Sequence, residues 1–188
     1  MTRIIGGIAG SRTLASPAKV TRPTSDRIRE SIYNRLAALN LIENAEVLDL
    51  YAGTGALGLE AASRGAKKVV LVEQHKQALG GIITNMRMVK SALQKEDLDA
   101  DIRAEGRTVS AYLEHCGDRF DLVFIDPPYD VDNETITDVL TKLVPVLNKD
   151  AVIVLERSSR TEEPVLPEGL TLDESKNYGD TVTYWLSN

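Results

Sequence analysis

The sequence contains a single cysteine, Cys116, and few histidines or aromatic residues. One cysteine excludes an intrachain disulfide framework and a multi-thiolate zinc site, and it fits a reducing cytoplasm. The two histidines, His75 and His115, lack partners at metal-ligand spacing, so we expect no metal site. Aromatic residues make up 5% of the chain, which argues against a pure all-β sandwich.

Long apolar runs are also missing. No stretch approaches the roughly 20 apolar residues of a membrane-spanning helix, and residues 1–20 lack the unbroken apolar segment of a signal peptide. We therefore expect a soluble cytoplasmic protein with no membrane partner. The chain has 188 residues, of which 43% are hydrophobic and 27% charged, so it can bury the core of one ordinary domain.

The charge is distributed unevenly along the chain. The net charge is -6, yet residues 1–35 hold seven basic and two acidic residues, a local charge of +5. The rest holds fifteen basic and twenty-six acidic residues, a charge of -11. This asymmetry predicts one surface that binds a polyanion, although a solvated arginine-rich helix explains the charge alone equally well.

The N-terminal part reads as a small basic extension over residues 1–40, which precedes a main domain over residues 41–188. β-Branched residues interrupted by glycines at 3–14 predict a short hairpin. Thr24 or Ser25 is suited to begin the helix that follows Pro23. We expect the apolar stripe of this helix to dock and its arginines to face outward; the stripe consists of Ile28, Ile32, Leu36 and Leu39, and the arginines are Arg27, Arg29 and Arg35.

From residue 45 onward, short apolar runs alternate with helical stretches. We predict strands at 47–51, 68–73, 101–104, 122–126 and 151–156, and helices at 57–64, 76–93, 109–115 and 134–147. The alternation is typical of βα units and a mainly parallel sheet. Two final strands, at 170–176 and 181–186, are joined by Asn177-Tyr178-Gly179-Asp180 and predict a C-terminal antiparallel hairpin. The predicted fold class is α/β.

A glycine-rich turn follows the first predicted strand and begins a helix. Gly53, Gly55 and Gly58 have the Gly-x-Gly-x-x-Gly spacing that lets a nucleotide approach a helix N-terminus. Glu73 ends the second strand, where a carboxylate can accept hydrogen bonds from a ribose diol. These features fit NAD and S-adenosylmethionine equally well. Asp49 favours S-adenosylmethionine, because a carboxylate there repels a pyrophosphate and suits a cationic sulfonium.

Asp126-Pro127-Pro128-Tyr129 follows the strand at 122–126. Consecutive prolines end a central strand, so these residues lie at the carboxyl edge of the sheet beside the glycine turn. The Asp126 carboxylate and the Pro127 carbonyl can accept both protons of an exocyclic amine and direct its lone pair at a methyl donor. Tyr129 can stack on an extruded base. A stiff Pro-Pro-Tyr turn without chemistry is the alternative.

The chain resembles a known family. The glycine turn is similar to the first motif of class I methyltransferases, and residues 126–129 are similar to the fourth motif of amino-methylating enzymes. With them, several short runs resemble the bacterial small-subunit ribosomal RNA guanine-N2 methyltransferase family over nearly the whole chain. These runs are Arg3-Ile4-Ile5-Gly6-Gly7, Gly10-Ser11-Arg12, Arg22-Pro23-Thr24-Ser25-Asp26-Arg27-Ile28-Arg29-Glu30 with Asn34, Gly55-Ala56-Leu57-Gly58-Leu59-Glu60-Ala61, Ser63-Arg64-Gly65 and Tyr178-Gly179-Asp180-Thr181.

The resemblance implies a Rossmann-like class I methyltransferase fold with a seven-stranded sheet. It implies methyl transfer from S-adenosylmethionine to one guanine N2 amine of 16S ribosomal RNA, in a partly assembled 30S subunit. Implied cofactor-binding residues are Asp49, Tyr51, Ala52, Gly53, Thr54, Gly55, Glu73 and Arg107, and implied RNA-binding residues are Arg3, Arg12, Arg22, Arg27 and Arg29. The family's adenine-binding aspartate is missing near Arg107, where Glu105 or backbone groups are the substitutes.

Three other functions compete. A methyltransferase for adenine N6 in DNA or for a protein glutamine amide would use the same tetrad, but 188 residues leave no room for a large DNA-recognition domain. An NAD-dependent oxidoreductase would leave the two prolines unexplained. A noncatalytic RNA-binding assembly factor would not need Asp126 and the glycine turn.

Overall fold

Seven strands form one sheet in the part of the chain that the computed structural model describes, residues 2–16 and 25–188. The order across the sheet is β3-β2-β1-β4-β5-β7-β6. Strands β1 to β5 run parallel to one another, whereas β7 is antiparallel to both β5 and β6. The strands are β1 (Glu46–Leu50), β2 (Lys68–Val72), β3 (Asp101–Glu105), β4 (Phe120–Ile125), β5 (Leu147–Ser158), β6 (Thr171–Tyr178) and β7 (Thr181–Ser187).

Helices cover both faces of the sheet. They are α1 (Asp26–Ala38), α2 (Ala56–Ser63), α3 (Lys76–Gln94), α4 (Val109–Glu114) and α5 (Asn133–Leu143). The alternation of side chains along each strand divides the core in two, so Val47 packs with α1, α2 and α3, while Leu48 and Leu50 pack with α4 and α5. No helix in the described ranges is long and apolar enough to cross a membrane.

The strand order reverses between β1 and β4. From β1 the chain runs outward through β2 and β3, then returns to place β4 on the other side of β1. In open α/β sheets such a reversal leaves a crevice at the carboxyl ends of the two strands, because the following connections diverge to opposite sides. The glycine turn and Asp126 follow these two strands, so the topology brings both motifs to one crevice.

The α/β fold class, the mainly parallel sheet and the C-terminal hairpin are confirmed, with small differences at element ends. The helix predicted at 134–147 is wrong at its C-terminal end. Helix α5 stops at Leu143, a short 3₁₀ turn holds Pro145, and β5 begins at Leu147. Proline has no backbone N–H to donate to the carbonyl four residues before it, so the α-helical hydrogen bonds end here.

The N-terminal hairpin exists and is anchored on α2. Arg3 and Thr13 form an isolated antiparallel bridge. The Ile5 and Gly6 amides donate to the fully buried Glu60 carboxylate at 2.6 and 2.8 Å. At Gly7, φ is +74°, and a Cβ would lie 2.0 Å from the Ser63 carbonyl oxygen. Only glycine therefore allows this close approach of hairpin and helix.

Helix α1 begins at the cap residue Ser25, whose side-chain oxygen accepts from the Ile28 amide at 3.2 Å. Its buried positions share a core with the sheet and with Ile4 and Leu14 of the hairpin. The described residues of the predicted extension at 1–40 thus pack into the main core, and the division at residue 40 stays a prediction.

Candidate active site

A cleft of about 370 Å³ opens at the carboxyl ends of β1, β4 and β5. One wall is the glycine turn between β1 and α2, and the floor includes Asp49. The Asp-Pro-Pro-Tyr segment after β4 forms a second wall. The end of β5, the β6–β7 turn and the start of α1 close the remaining side. The two motifs singled out in the sequence therefore meet in one cavity.

The glycine turn holds the backbone in left-handed conformations. Tyr51, Gly53 and Gly55 all have positive φ, of 60°, 58° and 77°. At Gly55, a Cβ would also lie 3.1 Å from a methyl group of Leu59. The turn is fixed by the Gly55 amide, which donates to the Ala52 carbonyl at 2.7 Å. A larger residue at Gly55 would strain the turn and crowd α2.

Asn85 of α3 secures this turn from behind, and sequence reasoning missed it. Its side-chain nitrogen donates to the Thr54 carbonyl at 2.9 Å and to the Ala15 carbonyl at 3.0 Å. Its oxygen accepts from the Ala15 amide at 2.8 Å. One buried side chain thus ties the glycine turn to the end of the N-terminal hairpin. The available signal was a polar residue in line with Ala78, Ile82 and Val89 on the buried face of α3.

Asp49 is buried beneath the turn. One carboxylate oxygen accepts from the Gly58 amide at 2.8 Å. The pKa of Asp49 is raised to about 7, chiefly by burial; the Gly58 amide opposes this shift, and the nearby Asp126 and Glu73 carboxylates add to it. A cation bound beside Asp49 would favour its charged form, so this position is suited to a positively charged ligand group.

Glu73 is held in one orientation by two backbone amides. Its carboxylate accepts from Gly53 at 2.9 Å and from His75 at 2.8 Å. The predicted ribose contact at Glu73 stays a prediction, because the side chain is buried behind the turn and is not part of the cleft lining. Arg107 also lies outside this lining, is 49% exposed and forms an ion pair with Glu105 at 3.2 Å. The structure therefore does not bring Arg107 to the cleft.

The Asp-Pro-Pro-Tyr segment continues directly from β4. The Asp126 amide donates to the Leu50 carbonyl at 3.4 Å, which holds the start of the segment beside β1. Pro127 is buried, while Pro128 is exposed, and the Val131 amide donates to its carbonyl at 3.1 Å. Tyr129 is 52% exposed at the rim. All four residues line the cleft, as the two motifs led us to expect.

The opposite side of the cleft was not predicted residue by residue. Glu156 and Arg157, near the carboxyl end of β5, are buried charged residues that line the cavity. Arg157 donates to the Asn133 side chain at 3.0 Å, and burial lowers the pKa of its guanidinium. Tyr178 shares a 2.6 Å hydrogen bond with Ser31 of α1. The only sequence signal for this side was the Tyr178-Gly179-Asp180-Thr181 run, which resembles the family but for which the resemblance implied no role.

The predicted RNA-binding arginines divide by exposure. Arg3 is 60% exposed and lies 3.7 Å from the Asp26 carboxylate. Arg12 donates to the Ile8 carbonyl at 3.0 Å, and Arg27 faces solvent. Arg22 lies outside the described residues.

The prediction for Arg29 is wrong in this structure. Its side chain is 0% exposed and donates to the Arg3 carbonyl at 2.8 Å and to Asp26 at 2.6 Å. The reason is helical periodicity: position 29 falls with Ile32, Tyr33 and Leu36 on the buried stripe of α1. Arg29 therefore ties α1 to the hairpin instead of reaching a phosphate.

The sheet order and the two motifs at its carboxyl edge define a class I methyltransferase fold. A family model described as "Conserved hypothetical protein 95" matches residues 2–187. The chain belongs to this family.

Among its relatives, the chain is 33% identical over 183 residues to ribosomal RNA small subunit methyltransferase D of Escherichia coli, covering 96% of this chain and 86% of that protein. It is 30% identical over 184 residues to the putative rRNA methyltransferase YlbH of Bacillus subtilis, covering 95% of each. The solved structure of the putative methyltransferase yhhF from Escherichia coli is 29% identical and covers 100% of this chain and 97% of that chain, with a TM-score of 0.85.

Proposed function

We propose that this protein transfers a methyl group from S-adenosylmethionine to the N2 amine of one guanine in 16S ribosomal RNA, within an assembling 30S subunit. The observation that carries the proposal is the meeting of the glycine turn and the Asp-Pro-Pro-Tyr segment in one cleft. The names of the relatives support ribosomal RNA methylation as the reaction class. We propose in addition that the methylated atom is guanine N2 and that the substrate is the 30S particle.

The residues beside the glycine turn fit this cofactor. S-adenosylmethionine supplies an electrophilic methyl group on a positively charged sulfur. Asp49 offers a buried carboxylate for its positively charged portion, and the Gly58 amide donates to one of its oxygens. The backbone of residues 51–55 forms the adjoining wall, and Glu73 stands behind it with its carboxylate fixed. The negative charge of Asp49 thus complements the positive charge of the cofactor.

Asp126 and Pro127 prepare the target amine. The lone pair of an aromatic amine is delocalised into the ring, so the amine is a weak nucleophile. The Asp126 carboxylate and the Pro127 carbonyl accept hydrogen bonds from its two N–H groups and hold the lone pair toward the methyl group. The new N–C bond forms as the S–C bond breaks, and the electron pair of that bond returns to sulfur. The extra proton then leaves the nitrogen for Asp126 or water.

Tyr129 and the arginines of the N-terminal part suit an RNA substrate. The half-exposed ring of Tyr129 stands at the rim, where stacking on an extruded base contributes about 1–3 kcal/mol. Arg3, Arg12 and Arg27, with Arg22, supply phosphate contacts on the basic part of the chain. The acidic remainder repels the polyanion elsewhere and thereby orients the encounter.

Asp126→Asn tests the proposed chemistry. The amide removes one charged acceptor and presents a donor to the amine, so turnover should fall on the order of 100-fold or more, while cofactor affinity stays within about threefold. Tritium transfer measures turnover, and calorimetry measures binding. Glu168→Gln, at an exposed position away from the cleft, is the matched control and should behave as wild type. Turnover of Asp126→Asn near the wild-type value would contradict the role of Asp126.

A further inference from the structure

A second carboxylate stands beside Asp126. In the pairing of β4 with β5, Phe124 faces Val154 and Ile125 faces Leu155, so Asp126 and Glu156 come next at the same level. Phe124 and Val154 belong to the same core, and residues two positions further along a strand point to the same face. Adjacent strands lie about 4.8 Å apart. Both residues line the cleft, Glu156 from β5 and Asp126 from the position directly after β4.

Glu156 is positioned as part of the cleft and not of the solvent surface. It is 4% exposed, lines the cavity, and its backbone is fixed in the sheet by pairing with Thr183 of β7. The side chain thus approaches the cavity from a rigid strand, which suits a group that discriminates between ligands. An ionised carboxylate only accepts hydrogen bonds, so a ligand group that lies against this wall of the cleft is favoured when it presents N–H donors.

The proposed target has that pattern of donors. In guanine, the N2 amine lies next to N1, which carries a proton, so two neighbouring ring positions both donate. In adenine, the amine lies next to a ring nitrogen that carries a lone pair and accepts. A carboxylate beside the amine-binding residue attracts the first arrangement and repels the second.

We propose that Glu156 accepts the N1–H of the target guanine while Asp126 holds the N2 amine, and that Glu156 thereby selects guanine among bases with an exocyclic amine. The inference rests on the proposed function and names the residue that determines its specificity. Asp126 serves the chemistry with any aromatic amine, whereas Glu156 reads the neighbouring ring atom.

The test compares two acceptor RNAs with wild-type protein, Glu156→Gln and the control Glu168→Gln. In one RNA the target nucleotide is guanine, and in the other it is 2-aminopurine, which keeps the amine but has a lone pair at N1. Wild type and Glu168→Gln should prefer guanine on the order of 100-fold or more in kcat/KM, because a buried acceptor rejects an analogue that lacks the donor. Glu156→Gln should reduce that preference at least about tenfold, since its amide can donate to the lone pair.

An unchanged preference in Glu156→Gln, or an equal loss on both RNAs, would overturn the inference. If turnover of the variant is too low to measure, the ratio of the dissociation constants for the two RNAs gives the same comparison, after the thermal unfolding midpoint has shown that the variant is folded. Absence of N2 methylation by wild-type protein would instead overturn the proposed function, so the two failures are distinguishable.

Discussion

At the scale of single residues, the cleft depends on carboxylates that backbone amides hold in place. Asp49 accepts from Gly58, and Glu73 accepts from Gly53 and His75. Amides of the folded backbone are rigid donors, so these carboxylates keep their orientation without long flexible partners. Asp49 and Asp126 have different proposed roles because their surroundings differ. Asp49, proposed to bind the cofactor, is buried under the glycine turn, whereas Asp126, proposed to bind the target amine, is less buried after the end of β4.

The raised pKa of Asp49 predicts a pH dependence of cofactor binding. With a pKa of about 7 in the free protein, Asp49 is mostly protonated at pH 6 and must lose its proton to attract a cation. Affinity for S-adenosylmethionine should therefore rise as the pH increases toward 8, by up to about tenfold per pH unit below 7. Calorimetric titration between pH 5.5 and 8.5 measures this dependence.

Asp49→Asn is the matched variant, since its oxygen can still accept from Gly58. We expect it to bind the cofactor weakly with a nearly flat pH profile. The variant also bears on stability. The pKa of Asp49 is higher in the folded protein than in the unfolded chain, so the free energy of unfolding of wild type should fall as the pH rises from about 4 to 7. Asp49→Asn lacks this titration, so its free energy of unfolding should increase relative to that of wild type over the same interval. A pH profile in the variant as steep as that of wild type would assign the titration to another group.

At the scale of elements, the N-terminal hairpin and α1 depend on the sheet domain for their position. Glu60 and Ser63 of α2 bind the hairpin through five hydrogen bonds between their side-chain or backbone atoms and residues 5–9. Arg29 joins the hairpin to α1, and Tyr33 donates to the Leu57 carbonyl of α2. These contacts place α1, whose first turn lines the cleft, against the glycine turn.

Glu60 should therefore contribute strongly to stability. Glu60→Ala would leave two backbone amides without their acceptor and Arg64 without its 2.7 Å ion-pair partner. We expect a loss of roughly 3 kcal/mol in the free energy of unfolding, measured by urea titration. Glu168→Ala, at an exposed site, should change it by less than about 0.5 kcal/mol. A loss below about 1 kcal/mol in Glu60→Ala would show that the hairpin contacts contribute little.

At the scale of the whole molecule, much of the fold follows from local patterns. Alternating apolar runs and helical stretches predict a mainly parallel sheet. The Asn177-Tyr178-Gly179-Asp180 run predicts the turn of the last hairpin, where Gly179 has a φ of +64°. The glycine turn and Asp126 could be placed together because each follows a buried strand. The carboxyl ends of parallel strands share one edge of a sheet, so the sequence alone predicts two walls of the cleft.

The remaining features depend on contacts between distant parts of the chain. Helical periodicity puts Arg29, and not Arg27, in line with the buried residues of α1, but the hairpin carbonyl that accepts from its buried guanidinium lies 26 positions away. Asn85 bonds to Ala15 across 70 positions, and Glu156 and Asp126 line one cleft because β4 pairs with β5. Local periodicity does not encode such partners.

The measurement that tests the central claim most directly is tritium transfer from labelled S-adenosylmethionine to 30S particles and to protein-free 16S ribosomal RNA, followed by nucleoside analysis. The account predicts label in N2-methylguanosine, formed by wild-type protein and lost in Asp126→Asn. A difference between the two acceptors would show whether ribosomal proteins form part of the recognised surface. Cofactor binding without label in either RNA, or label in any other nucleoside, would contradict the account.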